Sequence, residues 1–297
     1  MRTAPLLAAA LLIAACGASS PAPTSKPTPD TTTFGGPRPV TLQVPTAYDH
    51  AAGIALPLVL VLHGYGASGA LQAAYFGLDR LAEEEGFFLL APDGTPSDEG
   101  RFWNATDACC NFAQSPIDDV AYLSGLVEEV VAEYDVDPQR IYVIGHSNGG
   151  FMSHRLACER PDLFAAAFSV AGAQWSVQNR CKPSSRISIV QAHGTSDATI
   201  LFGGGAIGLA GYPSALETVS DWTTLDGCTG ALSEGGPKLD LDGAVPGDET
   251  TQRTVNGCPA GIAVELWEMK GSGHIPSFNA SFARAAWTWM QAHPKAL

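Results

Sequence analysis

Two kinds of apolar run alternate along this chain. Short, nearly continuous stretches of Val, Ile, Leu, Phe and Ala occupy residues 56–62, 87–92, 140–144, 163–171, 186–192 and 263–270. Each has the length of a strand, and an unbroken apolar run bounded by Gly or Pro suits a strand buried on both faces. Between them lie segments with helical spacing at 70–85, 116–134, 151–157, 214–225 and 276–293. Residues 39–44 alternate polar and apolar and predict an edge strand. Asp118 and Asp119 fall in the first turn of the 116–134 helix, where carboxylates complement the helix dipole. Strands alternating with helices predict a mostly parallel, doubly wound sheet in a single α/β domain. In such sheets chemistry gathers at the C-terminal strand ends. Here those ends read His63-Gly64, Asp93-Gly94, Gly172 and His193-Gly194.

One strand end carries more information than the others. Ile144-Gly145-His146-Ser147-Asn148-Gly149-Gly150 places a Gly-flanked serine between the run 140–144 and the helical segment from Phe151. A Gly-x-Ser-x-Gly motif between strand and helix describes the nucleophile elbow of an α/β-hydrolase. So sharp a turn leaves no room for a Cβ at Gly145 or Gly149. The free N–H groups of the following helix favour negative charge developing on the serine.

A serine nucleophile needs a base, and the base an orienting acid. Of seven histidines, His63 and His193 end strands before Gly and suit local backbone contacts. His146 is the variable elbow position, His154 lies on the elbow helix, turned away, and His50 and His293 sit near the edges. His274, in the Gly-rich loop Lys270-Gly271-Ser272-Gly273-His274-Ile275-Pro276, is the expected base. Asp197, in His193-Gly194-Thr195-Ser196-Asp197, falls between nucleophile and base, the chain order of α/β-hydrolases. Asp221, Asp240 and Asp242 match the order only and read as solvated surface carboxylates. The oxyanion donors are expected to be the N–H of Asn148, after the nucleophile, and that of Tyr65 in Leu62-His63-Gly64-Tyr65-Gly66.

These motifs occur in one order with Trp103-Asn104, Cys109-Cys110, Asp118-Asp119-Val120, Leu156-Ala157-Cys158 and Gly203-Gly204. The set resembles the polyhydroxybutyrate-depolymerase-type esterases, a group that includes feruloyl and acetylxylan esterases, over roughly residues 38 to 293. The resemblance implies an α/β-hydrolase fold, ester hydrolysis through an acyl-enzyme, Ser147, Asp197 and His274 as the triad, and no cofactor. The implied substrates are hydroxyalkanoate esters or oligomers, with feruloyl or acetyl esters on plant polysaccharide as the alternative. A serine peptidase and a non-catalytic binding lipoprotein are less favoured. That family usually continues its histidine loop into Trp-Pro; here Ile275-Pro276 follows directly, so one pocket wall is expected to be less aromatic. Trp103, Phe102, Tyr65 and Phe151 are candidate pocket residues, each equally explicable as packing.

Composition narrows the partners. A formal net charge of −14 argues against nucleic acid, which is bound through cations. Met1-Arg2-Thr3, an apolar stretch over 6–15 and Ile13-Ala14-Ala15-Cys16-Gly17 form a lipoprotein-type signal. Residues 1–16 are therefore expected to be a signal, with Cys16 lipidated as the mature N-terminus. Residues 17–38 form a Ser/Thr/Pro linker and 39–297 the catalytic domain. Export follows, to the cell envelope (outer membrane) or the medium, with membrane contact only through the lipid. The other cysteines suit an oxidising compartment. Cys228 is expected to bond Cys258 across an excursion that packs poorly by itself. Adjacent cysteines rarely join, so Cys109 and Cys110 are expected to take Cys158 and Cys181. No zinc-type Cys/His spacing is present, and no metal is expected.

Overall fold

Strict alternation within each strand builds a sheet with two buried faces. The computed structural model describes Met1, Lys26 and residues 28–176 and 180–295. Its main sheet has β1 Leu56–Leu62, β2 Phe88–Leu90, β3 Val136–His146, β4 Ala166–Val170, β5 Ser188–Gly194, β6 Leu232–Glu234, β7 Thr250–Val255 and β8 Val264–Met269. The order across it is β6-β7-β8-β5-β4-β3-β1-β2. Neighbours from β8 to β2 run parallel, while β7 and β6 extend the β8 edge antiparallel. Leu58, Leu60 and Leu62 enter one core and Val59 and Val61 the other, all wholly buried. β3 repeats the pattern, with Ile141 and Val143 on the first face and Tyr142 and Ile144 on the second. The first core is covered by α3 Asp119–Glu133, α4 Asn148–Glu159 and α5 Ala215–Leu225; the second by α1 Gly69–Phe76, α2 Leu78–Glu85 and α6 Ala280–Ala292. Each Val or Leu removed from water in this way contributes ~1.5–3 kcal/mol. The result is the α/β-hydrolase architecture expected from the run pattern.

The differences from expectation have local causes. The helix over 70–85 is two helices, because Gly77 at φ +72° adopts the left-handed conformation that ends α1 and starts α2. The edge strand over 39–44 shrinks to Val40–Thr41 and a bridge from Gln43 to Leu89, beside β2. Residues 229–257 are no loose excursion: they carry β6 and β7, whose cross-strand pairs offered no long apolar run to detect. Two short hairpins, Thr95–Ser97 with Gly100–Phe102 and Gly205–Ile207 with Ala210–Tyr212, also lay outside the predicted elements.

Cys228 joins Cys258 as expected, closing the β6–β7 excursion at its base. The other pairing is corrected. Cys158, near the end of α4, bonds Cys181 at a Cα separation of 5.5 Å, an ordinary disulfide spacing. Cys109 and Cys110 then bond each other. The expectation rested on adjacent cysteines rarely joining; here Cys181 comes to Cys158 at the end of α4, which leaves Cys109 and Cys110 only each other. Cys16 and nearly all of 1–27 lie outside the described residues. Among the described residues no helix is long and apolar enough to cross a membrane.

Asp226 caps the C-terminus of α5, is fully buried, and accepts only the Ile187 N–H, on Oδ1. Burial pushes its carboxyl up to about 7, against opposing pulls from the Ile187 N–H and the Arg186 charge. A folded-state value above the unfolded one means its stabilising contribution is complete below about pH 4. That contribution is lost as pH rises through about 7. Asp226→Asn is therefore expected to flatten the fall in melting temperature between pH 4 and 8 relative to wild type. Parallel pH profiles for the two proteins would contradict this assignment.

Candidate active site

The turn from β3 into α4 leaves no room for side chains at its glycines. A Cβ on Gly145 would lie 2.2 Å from the Gly149 carbonyl oxygen, and one on Gly149 would lie 2.2 Å from that of Leu62. Only glycine fits at either place, and their close contact brings the start of α4 directly under the ends of β1 and β3. Ser147 between them is held at φ +54°, where a non-glycine residue is strained. Its N–H donates to Val170 O at 2.8 Å, which locks the turn against β4. The strain lifts the hydroxyl off the strand end and into reach of another loop.

That loop carries His274. His274 Nε2 lies 2.9 Å from Ser147 Oγ, and His274 Nδ1 lies 2.7 Å from Asp197 Oδ2. With Nδ1–H donating to the carboxylate, Nε2 is left to accept the serine proton. The Asp197 side chain is wholly buried; that of His274 keeps 14% exposure on the open side of the site. Burial pushes the Asp197 carboxyl up. The nearby His193 ring nitrogen at 3.4 Å, the hydrogen bond from His274, the His274 charge and the Thr199 N–H outweigh this and hold it far below the usual carboxylate range. Asp197 Oδ1 takes the Thr199 and Ile200 N–H groups at 2.8 and 2.9 Å. The acid is thus ionised and immobile.

The His274 main chain is held as firmly as its ring. His146 Nε2–H donates to His274 O at 2.7 Å. Burial pushes the His146 imidazole down to about 4, so it remains a neutral donor. Tyr75 donates its hydroxyl to Pro276 O at 2.7 Å. Asp242 accepts the Ser277 N–H at 2.9 Å. Asp242 is buried, so it is a clamp on the histidine loop and not the solvated carboxylate its sequence neighbourhood implied. Asp240 accepts from Asn279, and Asp221 is half-buried on α5.

The loop after β1 runs past Ser147. A Cβ on Gly64 would sit 3.4 Å from Ser147 Cβ, which puts the next peptide, that of Tyr65, beside the serine. His63 fixes this loop. Its Nε2 accepts the Gly94 N–H at 2.8 Å, so its proton is on Nδ1 and donates to Gly64 O at 2.7 Å. Asn148 stands at the first position of α4, where its N–H has no intrahelical acceptor. Its buried side chain instead accepts the Trp103 N–H at 2.7 Å and donates to Trp103 O at 3.0 Å.

The four candidate pocket residues separate. Trp103 and Phe151 are wholly buried, Trp103 donating Nε1–H to His63 O and Phe151 packing edge-on to Tyr212. Both are assigned to packing, because neither has surface to offer a substrate. Tyr65 and Phe102 line a cleft of about 420 Å³ with Ser97, Asp98, Glu99, Cys110, Phe112 and Ala113. Phe112 also borders a second cleft of about 790 Å³, whose wall includes Asn104, Asn111, Arg155, Trp175 and Arg180. Neither cleft is lined by Ser147 or His274 themselves; Tyr65 provides the link.

Three residues have supporting roles that their sequence surroundings do not show. Asp119 is fully buried, accepting Arg38 Nη2–H and the Asn104 N–H, each at 2.8 Å, and so ties the Trp103–Asn104 loop to α3. Its neighbour Asp118 supplies the helix cap, accepting the Ala121 N–H. The doubled aspartate was a visible signal, but its second member was read as a dipole partner. Tyr75 and Asp242 carried no signal, since their partners lie 201 and 35 residues away.

Asn148→Ala keeps the backbone N–H but strands the buried N–H of Trp103, while Trp103 O keeps the Ala105 N–H at 3.0 Å. Such an unsatisfied group costs ~1–3 kcal/mol. Urea denaturation is expected to show a loss of about 1–3 kcal/mol with a change in tryptophan fluorescence; an unchanged midpoint would refute the bridge.

Comparison with known proteins bears on the family and the fold. Residues 31–206 match the family model described as "Putative esterase". The chain is 32% identical to "Putative esterase NocK" of Nocardia uniformis subsp. tsuyamanensis over 226 residues, 73% of this chain and 64% of that protein. It is 28% identical to "Feruloyl esterase B" of Piromyces equi over 74% of this chain and 40% of that protein. It thus spans less than two thirds of the length of either. The fold matches that of an acetyl xylan esterase from Aspergillus awamori with a TM-score of 0.61 at 17% identity, covering 87% of this chain and 96% of that one. With more than half of its length inside the family model, this chain belongs to that esterase family.

Proposed function

We propose that the protein hydrolyses carboxylic esters, with Ser147 as nucleophile, His274 as general base then acid, and Asp197 as the orienting carboxylate. The observation that carries this is the continuous line of hydrogen bonds from Ser147 Oγ through His274 to Asp197 Oδ2. Ser147 Oγ attacks the ester carbonyl as His274 Nε2 takes its proton. The oxyanion is received by the N–H groups of Asn148 and Tyr65, each such donor contributing ~3 kcal/mol in the transition state. His274 then protonates the leaving alcohol. Water, deprotonated by the same nitrogen, releases the acid from the acyl-enzyme.

Hydroxyalkanoate esters head the expectations from the sequence, but the two clefts that meet at Phe112 favour the alternative, an acyl ester borne by a hydroxyl-rich alcohol such as plant polysaccharide. A polyester would need a broad apolar face. The two clefts meeting at Phe112 instead mix aromatic rings with Asp98, Glu99, Asn111, Arg155 and Arg180, groups that hydrogen-bond sugar hydroxyls. Three disulfides support export to an oxidising compartment. The lipid anchor at Cys16 and the boundaries 1–16, 17–38 and 39–297 remain part of this proposal on sequence grounds.

Ser147→Ala is expected to lower turnover of p-nitrophenyl acetate by at least about 10³-fold and to abolish labelling by a fluorophosphonate probe. Retained turnover would remove Ser147 from the mechanism. Among methyl ferulate, acetylated xylan and hydroxybutyrate oligomers, one of the first two is expected to give the highest kcat/KM. Faster turnover of the oligomers would reject the polysaccharide reading while leaving the esterase intact.

A further inference from the structure

Behind Asp197 runs a second line of buried polar side chains that the triad does not use. Trp222, His154, Gln191 and His193 are each at most 1% exposed and come from α5, α4 and β5. Trp222 Nε1–H donates to His154 Nδ1 at 3.0 Å. An indole nitrogen can only donate, so His154 Nδ1 has no proton and its Nε2 does. That Nε2–H donates to Gln191 Oε1 at 2.7 Å. The Gln191 amide is thereby turned with its nitrogen toward Gly172 O, 2.8 Å away, and His193 Nδ1, 3.0 Å away. A carbonyl can only accept, so the Gly172 contact independently demands the same orientation. His193 Nδ1 is therefore an acceptor and its proton is on Nε2, donating to Ile200 O at 2.8 Å and lying 3.4 Å from Asp197 Oδ2. The proton position at each group in the line follows from its neighbour, ending beside the oxygen that accepts the His274 Nδ1–H hydrogen bond.

We propose that His193 is a positioning residue for the triad, its Nε2–H tautomer locked by the Trp222–His154–Gln191 line so that a protonated ring nitrogen is always held 3.4 Å from the Asp197 carboxylate. The inference rests on the proposed role of Asp197 and adds to it. Asp197 Oδ2 shares its charge between two imidazoles, and the share given to His193 is withheld from His274. His193 thus tempers how strongly Asp197 stabilises the His274 cation, and so sets the acid limb of the pH–rate profile.

The other groups facing this centre leave that limb to the pair. From β3, His146 stands 5.0 Å from the His274 ring and is kept neutral by burial, pushed down to about 4. From α4, His154 is likewise pushed down to about 4 by burial. Tyr212, at the end of the 205–212 hairpin, spends its hydroxyl on the Leu201 N–H. Phe202 closes the remaining side of the His193 ring at 5.7 Å.

The test uses the intact protein. In wild type, ¹⁵N spectra are expected to show the His193 ring with Nδ1 unprotonated and Nε2 protonated, the signal assigned by its loss in His193→Gln. An Nδ1–H tautomer overturns the proposal whatever the variants do. His193→Gln keeps an N–H donor near the Nε2 position, and His193→Phe keeps the ring without one. The acid limb of kcat/KM for p-nitrophenyl acetate is expected to move up by about half to one pH unit in His193→Phe. In His193→Gln it is expected to stay within about 0.2 unit of wild type. An unmoved limb in the Phe variant, or equal shifts in both, overturns it, because either result makes His193 a packing residue only. Asp197→Asn separates this from the underlying mechanism: it is expected to lower kcat by about 10³-fold or more. If Asp197→Asn keeps near-wild-type kcat, it is the triad that fails.

Discussion

The close approach of the α4 N-terminus to the ends of β1 and β3 governs the rest of the molecule. It is possible only because Gly145 and Gly149 present no side chain to the Gly149 and Leu62 carbonyls. Once the helix start is drawn in, three consequences follow together. Ser147 is forced to a positive φ that projects its hydroxyl. The first N–H groups of α4 point at the same space. The Gly64 backbone is drawn close beside Ser147 Cβ. One steric constraint in the backbone thereby places the serine and the helix start before any side-chain interaction is made.

Side chains then stiffen what the backbone has arranged, and they do so with neutral histidines. His63 ties the β1 loop to Gly94, His146 holds the carbonyl of His274, and His154 and His193 stand behind Asp197. An imidazole suits these positions because one ring can donate and accept at once, and burial removes its charge. Asp197 is the one buried ion at the centre. It is tolerated because two backbone N–H groups and two imidazoles surround its carboxylate, leaving no unpaired charge of the kind that a low-dielectric interior penalises heavily. The neutral hydrogen-bonding shell and the single compensated charge are two aspects of one solution.

Much of this was legible in the chain. The β1 run over Leu56–Leu62 was delimited to the residue, since an apolar strand ended by His-Gly has few other readings. The Gly-Ser-Gly elbow and the order of Ser147, Asp197 and His274 were readable because each stands at a strand end marked by glycine. Less legible were features whose cause is a distant partner. The 70–85 helix broke at Gly77, which helical spacing alone passes over. β6 pairs with β7 and β7 with β8, and neither has an apolar signature of its own. The disulfides were misassigned at Cys109 and Cys110 because proximity in three dimensions, not spacing, selects partners.

The sequence by itself determined the layered α/β architecture, the identity of the elbow and the residue types brought to the strand ends. These depend on local rules: apolar period, glycine tolerance and chain order. Only the tertiary structure decided that Trp103 and Phe151 are interior packing, that Asp119 and Asp242 are buried clamps, and that four side chains line up behind Asp197. The physical reason is the same in each case. Burial and hydrogen-bond polarity are properties of what a residue meets across the fold, and a residue's sequence neighbours do not specify what that will be.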